Sequence, residues 1–464
     1  MTDGVISWII HPWRIRMPFK IVILWTDTLV FLLVLSCFLF AIWARKQQLM
    51  ISAWHEVKKR RLGMAAMVIV IAYAIIGILD SMHYRLAEPQ AHNGKTFYST
   101  QVYSVLDKLL YPIGQQDEKT FSAPFALRSF SKEVVNLDDG TQVRIYPRLK
   151  YGGAHLEHEE DRGLDILYRT LWGGFFGALL WMMSAGIFWK KLKHQKPVLI
   201  TLGFLFIVIP ISVYLARYYH ILGTDKVGQD IFYASVKSIR TGLIIGTVTT
   251  LVMLPFAIFL GSAAGYFSGW IDDAIQYVYT TLSSIPGVLL ITASILSLQV
   301  FIGNHPQFFP TLAERADARL LSLCIILGVT SWTGLCRLLR AETLKVREMD
   351  FVLASKAMGV MRSKIIFKHI LPNIMHIVLI TIVLDFSGLV LAEAVLSYVG
   401  VGVDPTTLSW GNLINSARLD LAREPIVWWP LVSAFVFMFL LVLSANLFAD
   451  AVRDAFDPRI RHEQ

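Results

Sequence analysis

The sequence predicts an all-α protein that crosses a membrane several times. Apolar residues make up 55% of its 464 residues, and they fall into blocks of about twenty, the length a helix needs to cross ~30 Å of hydrocarbon. Basic residues cluster beside those blocks, as expected of cytoplasmic loops. The formal net charge of +9 therefore indicates membrane topology rather than a nucleic acid partner.

Nine segments have the length and hydropathy of membrane spans. They are about Phe19–Trp43, Leu62–Leu79, Ile166–Trp189, Val198–Ala216, Gly242–Phe267, Ile285–Phe301, Leu320–Leu338, Ile374–Val399 and Trp428–Phe448. An odd number of spans predicts that the two termini lie on opposite sides of the membrane.

Lysine and arginine residues indicate which side is cytoplasmic. They crowd alternate connections and the C-terminus, namely Arg45, Lys46, Lys58, Lys59, Arg60 and Arg61, then Lys190, Lys191, Lys193 and Lys196, then the stretch from Arg337 to Lys368, and finally Arg453, Arg459 and Arg461. All of these can be cytoplasmic together, which predicts an external N-terminus despite Arg14, Arg16 and Lys20. A re-entrant or interfacial opening helix is the alternative.

The long connection at about 80–165 is extracytoplasmic on this topology. It is polar and carries two β-type runs on either side of Asp138-Asp139-Gly140, a turn sequence typical of a hairpin. Its aromatic and branched residues predict a small folded insertion. The only Gly-Lys-Thr of the chain, at Gly94 to Thr96, lies here, and Pro89 stands where a phosphate loop needs its first glycine.

A short amphipathic segment separates the seventh and eighth spans. Asp350 precedes a helical register in which Phe351, Ala354, Ser355 and Met358 share one face, and Gly359 is placed to end the helix in a left-handed cap. Lys356 and Ala357 complete the helix, and Leu371-Pro372 fixes the start of the next span. Periodicity alone also allows a basic surface loop carrying Arg362, Lys364 and Lys368.

The pattern Ala354-Ser355, three residues, Gly359 and then Leu371-Pro372 resembles the cytoplasmic coupling loop of permease subunits of binding-protein-dependent ABC importers. Two positions depart from that pattern: Leu353 replaces the leading glutamate, and Ser355 replaces the second alanine.

Further stretches resemble the dipeptide and oligopeptide branch of those permeases. The first, Leu222 to Leu243, carries the motif residues Gly223, Thr224, Asp225, Gly228, Asp230 and Arg240, with Gln229 in place of the usual arginine and Ala234 in place of a serine. The others are the glycine-rich Leu396 to Ile414 and the ending Asp450 to Ile460. Together these resemblances cover the chain from about Tyr219 onward.

The resemblance implies a type I ABC importer permease core over 219–464, with the coupling loop at about 341–373. Preceding it are an extra helix and basic loop (1–61) and a first core-like helix, the insertion and an extra helical hairpin (62–218). Such a chain has no catalytic, cofactor or metal site of its own. It resides in the bacterial inner membrane and pairs with a homologous permease, an external solute-binding protein and two ATPase subunits that bind ATP and Mg.

Asp385 and Glu393 lie in the eighth predicted span, where a carboxylate at mid-bilayer costs about 2.5–3.5 kcal/mol. Interhelical hydrogen bonding is one interpretation, and a solute or ion pathway is the other. The second would make the chain an ion-coupled secondary transporter, although the sequence has no internal duplication of that kind. A membrane anchor that displays the insertion is a third class.

Overall fold

The computed structural model describes residues 19–87, 97–136, 142–192 and 195–456, most of which are helical. The helices of the first half are α1 (Trp25–Ala44), α2 (Gln48–Lys59), α3 (Arg61–Asp80), α4 (Val105–Leu109), α5 (Tyr111–Gly114), α6 (Arg162–Leu192) and α7 (Lys196–Ala216). Those of the second half are α8 (Ile231–Phe267), α9 (Trp270–Ser284), α10 (Gly287–Asn304), α11 (Leu312–Val346), α12 (Asp350–Ala357), α13 (Arg362–Ile365), α14 (Leu371–Tyr398), α15 (Trp410–Asp420) and α16 (Trp429–Phe456). Short strands are β1 (Phe19–Val22), β2 (His83–Leu86), β3 (Tyr103–Ser104), β4 (Glu133–Asn136) and β5 (Gln142–Ile145).

Eight helices in the described part of the chain are long and apolar enough to cross a membrane: α1, α3, α7, α8, α10, α11, the continuous helix Arg362–Tyr398 that contains α13 and α14, and α16. They correspond to eight of the nine predicted spans, and the all-α polytopic class is confirmed. The remaining predicted span, Ile166–Trp189, corresponds to α6, a continuous helix that is not among the eight. It packs along α7, so the predicted hairpin is present.

The packing partners give each helix a direction. Helix α3 is antiparallel to α16, because Gly63 near the start of α3 contacts Ala451 near the end of α16. It is also antiparallel to α8, because Gly77 near the end of α3 contacts Leu243 in the first half of α8. Helices α8 and α11 run parallel, since Gly328 lies against Val252 and Gly261 lies farther along, against Cys336.

We call the end of the bundle that holds the start of α8 the outer end, and the opposite end, which holds α12, the inner end. The connections predicted to be cytoplasmic by their charge, α1 to α3, α6 to α7 and α11 to α14, all lie at the inner end. There α2 packs on α7 and α16 through Ala53, Val57, Val198 and Ala455.

Small residues bring the central helices together. A Cβ placed on Gly265 of α8 would lie 2.5 Å from the Cβ of Thr343 of α11, and one on Gly328 of α11 would lie 2.6 Å from the Cβ of Val252. In hydrocarbon, helices associate through such close packing of small residues. Helices α8 and α11 therefore form the tightly packed centre of the bundle.

The first predicted span begins too early. Phe19–Val22 is strand β1, which pairs antiparallel with β2, and β2 pairs with β3. The physical reason is that β2, directly after α3, satisfies the backbone hydrogen bonds of these residues, so the helix starts only at Trp25.

The insertion at about 80–165 is folded in its described part. Strands β4 and β5 pair antiparallel from Glu133–Ile145 to Asn136–Gln142, which confirms the predicted hairpin strands. The turn residues Asp138 to Gly140 lie outside the described residues, as do Gly94 to Thr96.

Candidate functional site

The predicted amphipathic segment forms helix α12 at the inner end. Its glycine cap has the predicted geometry: Gly359 has a φ of +73°, and the backbone N–H of Val360 donates to the carbonyl of Ser355 at 3.2 Å. This left-handed ending satisfies carbonyls of the last turn that the helix itself leaves without donors.

Helix α12 exposes most of the predicted face. Phe351 is 41% and Met358 74% exposed, and Asp350, Ala354, Lys356 and Ala357 are exposed as well. Ser355 is the exception: its side chain is buried, and its hydroxyl donates to the carbonyl of Phe351 at 2.7 Å. The reason is that the bundle lies on the side of the helix that carries Val352 and Ser355.

Contacts with neighbouring helices hold α12 in place. Val352 is 1% exposed and packs in a cluster with Val346, Ile365 and Ile370. Just before α12, the guanidinium of Arg347 donates to the carbonyl of Gly265 at 3.2 Å and to the hydroxyl of Ser268. Helix α12 is thereby attached to the ends of both α8 and α11.

After the glycine cap of α12, the chain enters a long helix that begins at Arg362. Helix α13 passes through a π-helical turn, Ile366–Ile370, into α14, which begins at Leu371 with Pro372 in its first turn. Pro372 has no N–H for the carbonyl four residues earlier, and a π-helical turn is a common accommodation of such a break. The basic residues predicted to precede the span are therefore part of one continuous helix.

The motif residues before α8 form a tight turn at the outer end. The carboxylate of Asp225 accepts hydrogen bonds from the backbone N–H of Val227 and of Gln229, both at 2.9 Å, while burial raises its pKa. Asp230 caps α8 by accepting from the backbone N–H of Tyr233 at 3.0 Å.

This turn is covered by the insertion. The hydroxyl of Thr224 accepts from the backbone N–H of Ser122 at 2.6 Å and donates to the carbonyl of Thr120 at 2.9 Å. Gly223 and Gly228 have φ of +75° and +86°, and a Cβ on Gly228 would overlap the backbone of Glu118. The motif therefore serves here as the seat of the insertion.

A buried ionisable cluster joins the insertion to the turn. His220 Nδ1 lies 2.7 Å from Asp230 Oδ2, and its Nε2 lies 3.4 Å from Glu118 Oε1. Burial alone would lower the pKa of His220, but its hydrogen bonds to the two carboxylates outweigh burial and raise the pKa to about 9.

Glu118 is held as a carboxylate by the same cluster. Burial opposes its ionisation, but the hydrogen bond from His220 and three backbone N–H groups lower its pKa to about 2. Those N–H groups belong to Lys150, Tyr151 and Gly152. The sequence analysis missed Glu118 and His220, because nothing in their local sequence links residues 102 positions apart.

Arg240, the last motif residue, joins four helices. Its Nη2 donates to Asp27 Oδ1 of α1 at 2.6 Å and lies 3.9 Å from Asp317 Oδ1 of α11. Its Nε donates to the hydroxyl of Ser81, directly after α3, at 3.3 Å. His83 Nδ1 also contacts Asp27, at 2.8 Å. Arg240 thus connects the extra helix α1 to the core.

The two intramembrane carboxylates of α14 differ. Glu393 is 2% exposed and accepts from the hydroxyl of Ser397 at 2.8 Å, and a Cβ on Gly411 would lie 2.5 Å from its Oε1. This favours the structural interpretation of Glu393. Asp385 is partly buried, and no described residue forms a hydrogen bond or ion pair with it. Within the described ranges, no group of three or more His, Cys, Asp or Glu residues is placed to hold a metal ion.

Comparisons with known proteins concern mainly the second half. Residues 257–462, which include α12 and its glycine cap, match the family model described as binding-protein-dependent transport system inner membrane component. Over 240 residues the chain is 32% identical to the dipeptide transport system permease protein DppC of Lactococcus lactis, covering 52% of this chain and 64% of that protein.

Two further relatives are matched over more of their own length. A putative peptide permease protein of Brucella suis is 31% identical over 240 residues, which cover 52% of this chain and 73% of that protein. The DppC protein of Bacillus subtilis is 28% identical over 292 residues, which cover 59% of this chain and 85% of that protein. Helix α1 and the insertion both precede residue 257, where the match to the family model begins.

Proposed function

Because this chain belongs to the family of binding-protein-dependent transport system inner membrane components, we propose that it is the membrane-spanning permease subunit of an ATP-driven importer of peptides. Relatives named as dipeptide and peptide permeases support the substrate class. Partners follow from the same proposal: a second homologous permease, an external solute-binding protein, and two ATPase subunits that bind ATP and Mg.

The observation that carries the proposal is the exposed face of α12. Phe351 and Ala354 lie on a short helix at the inner end, and Met358 caps it. The predicted topology places cytoplasm there. Burying apolar surface on a partner is favourable by about 25 cal/mol per Å². The small side chain of Ala354 lets the partner approach the helix closely. Such a helix fits a groove on a soluble partner, and we assign that role to the ATPase.

The attachments of α12 indicate how it would transmit motion. Arg347 connects it to the end of α8, and Val352 packs it into the core. The helix that begins at Arg362, three residues after Gly359, runs through Pro372 into α14. When the ATPase pair closes, α12 would move as a rigid body and carry α11 and α14 with it. The spans would then rock between inward-open and outward-open packings.

The proposal is tested by placing a charge on the exposed face. Ala354→Glu, or Gly359→Pro, should abolish ATP-dependent peptide uptake by the reconstituted complex while membrane insertion is unchanged. The matched control is Leu353→Glu, which adds the same charge to the neighbouring residue, where the resembled coupling loops carry glutamate. Normal uptake by the Ala354→Glu variant, with the ATPase still bound, would contradict the proposal.

Asp385 is the observation that favours the alternative, an ion-coupled secondary transporter, because no described residue pairs with it. That function predicts uptake that persists without ATP, collapses with an ionophore and is lost in Asp385→Asn. The ATP-driven importer predicts that uptake without ATP is absent and that an ionophore has no direct effect.

A further inference from the structure

A crevice of about 330 Å³ opens near the outer end of the extra hairpin. Its walls come from α6, α7 and the α4–α5 segment of the insertion. Most of the lining is apolar, including Ile113, Phe176 and Val213, and Arg217 stands among the lining residues. The crevice lies at the opposite end of the bundle from α12, the helix proposed to bind the ATPase.

The local sequence explains why space remains between two closely packed helices. A Cβ on Gly173 would lie 2.8 Å from the Cα of Ile211, and one on Gly177 would overlap the carbonyl of Phe206. These glycines bring α6 against α7. Pro210 lies inside α7 and lines the crevice. It has no N–H to donate to the same carbonyl of Phe206, and a proline inside a helix bends it.

Arg217 stands at the boundary between apolar and polar surroundings. It follows Ala216, the last residue of α7, and the end of a membrane span is where hydrocarbon gives way to headgroups. Gln116 of the insertion donates to its backbone carbonyl at 2.9 Å, which joins the insertion to the end of α7. Tyr111, on the adjoining part of the insertion, is 61% exposed, and tyrosine is enriched at membrane interfaces.

The charge of Arg217 is not balanced within the described residues, where no carboxylate lies within ion-pair distance of it. Arg169, one helix away, provides the contrast: its Nε donates to Asp165 at 2.7 Å, and its guanidinium stacks on Tyr218. A guanidinium that is exposed and has no carboxylate partner matches the oxygens of a phosphate group.

We propose that this crevice binds one anionic phospholipid, with an acyl chain between α6 and α7 and the phosphate on Arg217. The apolar lining excludes a wholly polar solute such as free phosphate. The lining residues include no carboxylate, so nothing there receives the ammonium group of a zwitterionic headgroup. Because the insertion forms one wall, the lipid would attach the insertion to the membrane surface.

The test uses the full chain, purified and delipidated in detergent. Phosphatidylglycerol should raise the thermal unfolding temperature and remain bound one to one in native mass spectrometry, whereas phosphatidylcholine should do neither at the same concentration. Arg217→Gln should weaken phosphatidylglycerol binding about tenfold, the effect of losing a charge-assisted hydrogen bond. Val213→Trp, which fills the crevice and keeps the arginine, should weaken it comparably.

Arg162→Gln is the matched control. It removes one positive charge from the start of α6, at the same end of the hairpin as Arg217, and should leave binding unchanged. Equal binding by wild type and Arg217→Gln would overturn the proposal. Equal effects of phosphatidylcholine and phosphatidylglycerol would also overturn it. Stabilisation by inorganic phosphate alone would overturn the assignment of the crevice to the acyl chain.

Discussion

The two ends of the helix bundle are stabilised in different ways. At the outer end, charged side chains are buried and paired: Arg240 lies against Asp27, and His220 is fully buried between carboxylates. At the inner end, α12 lies on the surface with Phe351 and Met358 exposed. These buried charges of the outer end find their partners within one chain, whereas the inner end leaves a face that this chain does not cover.

Two left-handed glycines show the same contrast. Gly228 has a φ of +86°, and a Cβ there would overlap the backbone of Glu118 in the insertion. Gly359 has a φ of +73°, and a Cβ there would meet no atom within 4 Å. One glycine is required by backbone conformation and packing together, and the other by backbone conformation alone.

The largest expected effect is at the buried charges of the outer end. Arg240→Ala leaves the carboxylate of Asp27 buried without its guanidinium, and the loss of one partner of a buried pair costs about 3–5 kcal/mol. The free energy of unfolding of the purified chain in mixed micelles measures this loss. Asp27→Ala combined with Arg240→Ala should recover part of it. A double variant less stable than Arg240→Ala alone would argue against this pairing as the cause.

Gly228→Ala should be the next most damaging change. Strain at positive φ and overlap with Glu118 together cost about 2–5 kcal/mol, and the insertion should separate from its seat. Hydrogen exchange at the amides of 118–122 should accelerate, while the amides in the middle of α11 stay protected. If both regions lose protection equally, the insertion is not a separately seated unit.

The pH dependence of the insertion should be set by the His220 cluster. The pKa of His220 is raised from its ordinary value of 6.5 to about 9, so its stabilising contribution is complete below about pH 6.5 and is lost as the pH rises through 9. The pKa of Glu118 is lowered to about 2, so its contribution is present above about pH 4.5 and is lost toward pH 2. Hydrogen exchange at 118–122, corrected for the intrinsic effect of pH, should show greatest protection between pH 4.5 and 6.5.

Two outcomes would contradict this account of the pH profile. A wild-type profile that is flat between pH 6.5 and 9.5 would exclude the stabilisation by protonated His220. A Glu118→Gln variant that retains the wild-type decline toward pH 2 would exclude Glu118 as the group that titrates there.

The smallest effect is expected at the inner end. Gly359→Ala meets no steric obstacle and should cost only the left-handed conformation of one residue, about 1–2 kcal/mol. Exchange of the amides of 351–358 should therefore accelerate about 5–30-fold, with no change in the unfolding of the whole chain. A global loss of stability as large as that of Gly228→Ala would remove the contrast between the two ends.

Local features were well predicted and distant ones were not. The Gly359 cap and the hairpin strands β4 and β5 are as predicted, because backbone preferences and short-range periodicity produce them. The burial of Ser355 could not be predicted, because helical spacing gives relative positions on a helix but not the side on which the bundle lies. The start of the first span was wrong because β1 depends on a partner strand more than sixty residues away.

By itself, the amino-acid sequence determined the apolar spans, the charge pattern of their connections and the amphipathic helix with its glycine cap. Each of these follows from a residue and its near neighbours along the chain. Only the tertiary structure decided that Arg240 meets Asp27, 213 positions away, that the motif before α8 seats the insertion, and that Arg217 stands unpaired beside an apolar crevice. The reason is that buried charges and crevices take their partners from whichever helices pack together, and packing joins segments that no local pattern relates.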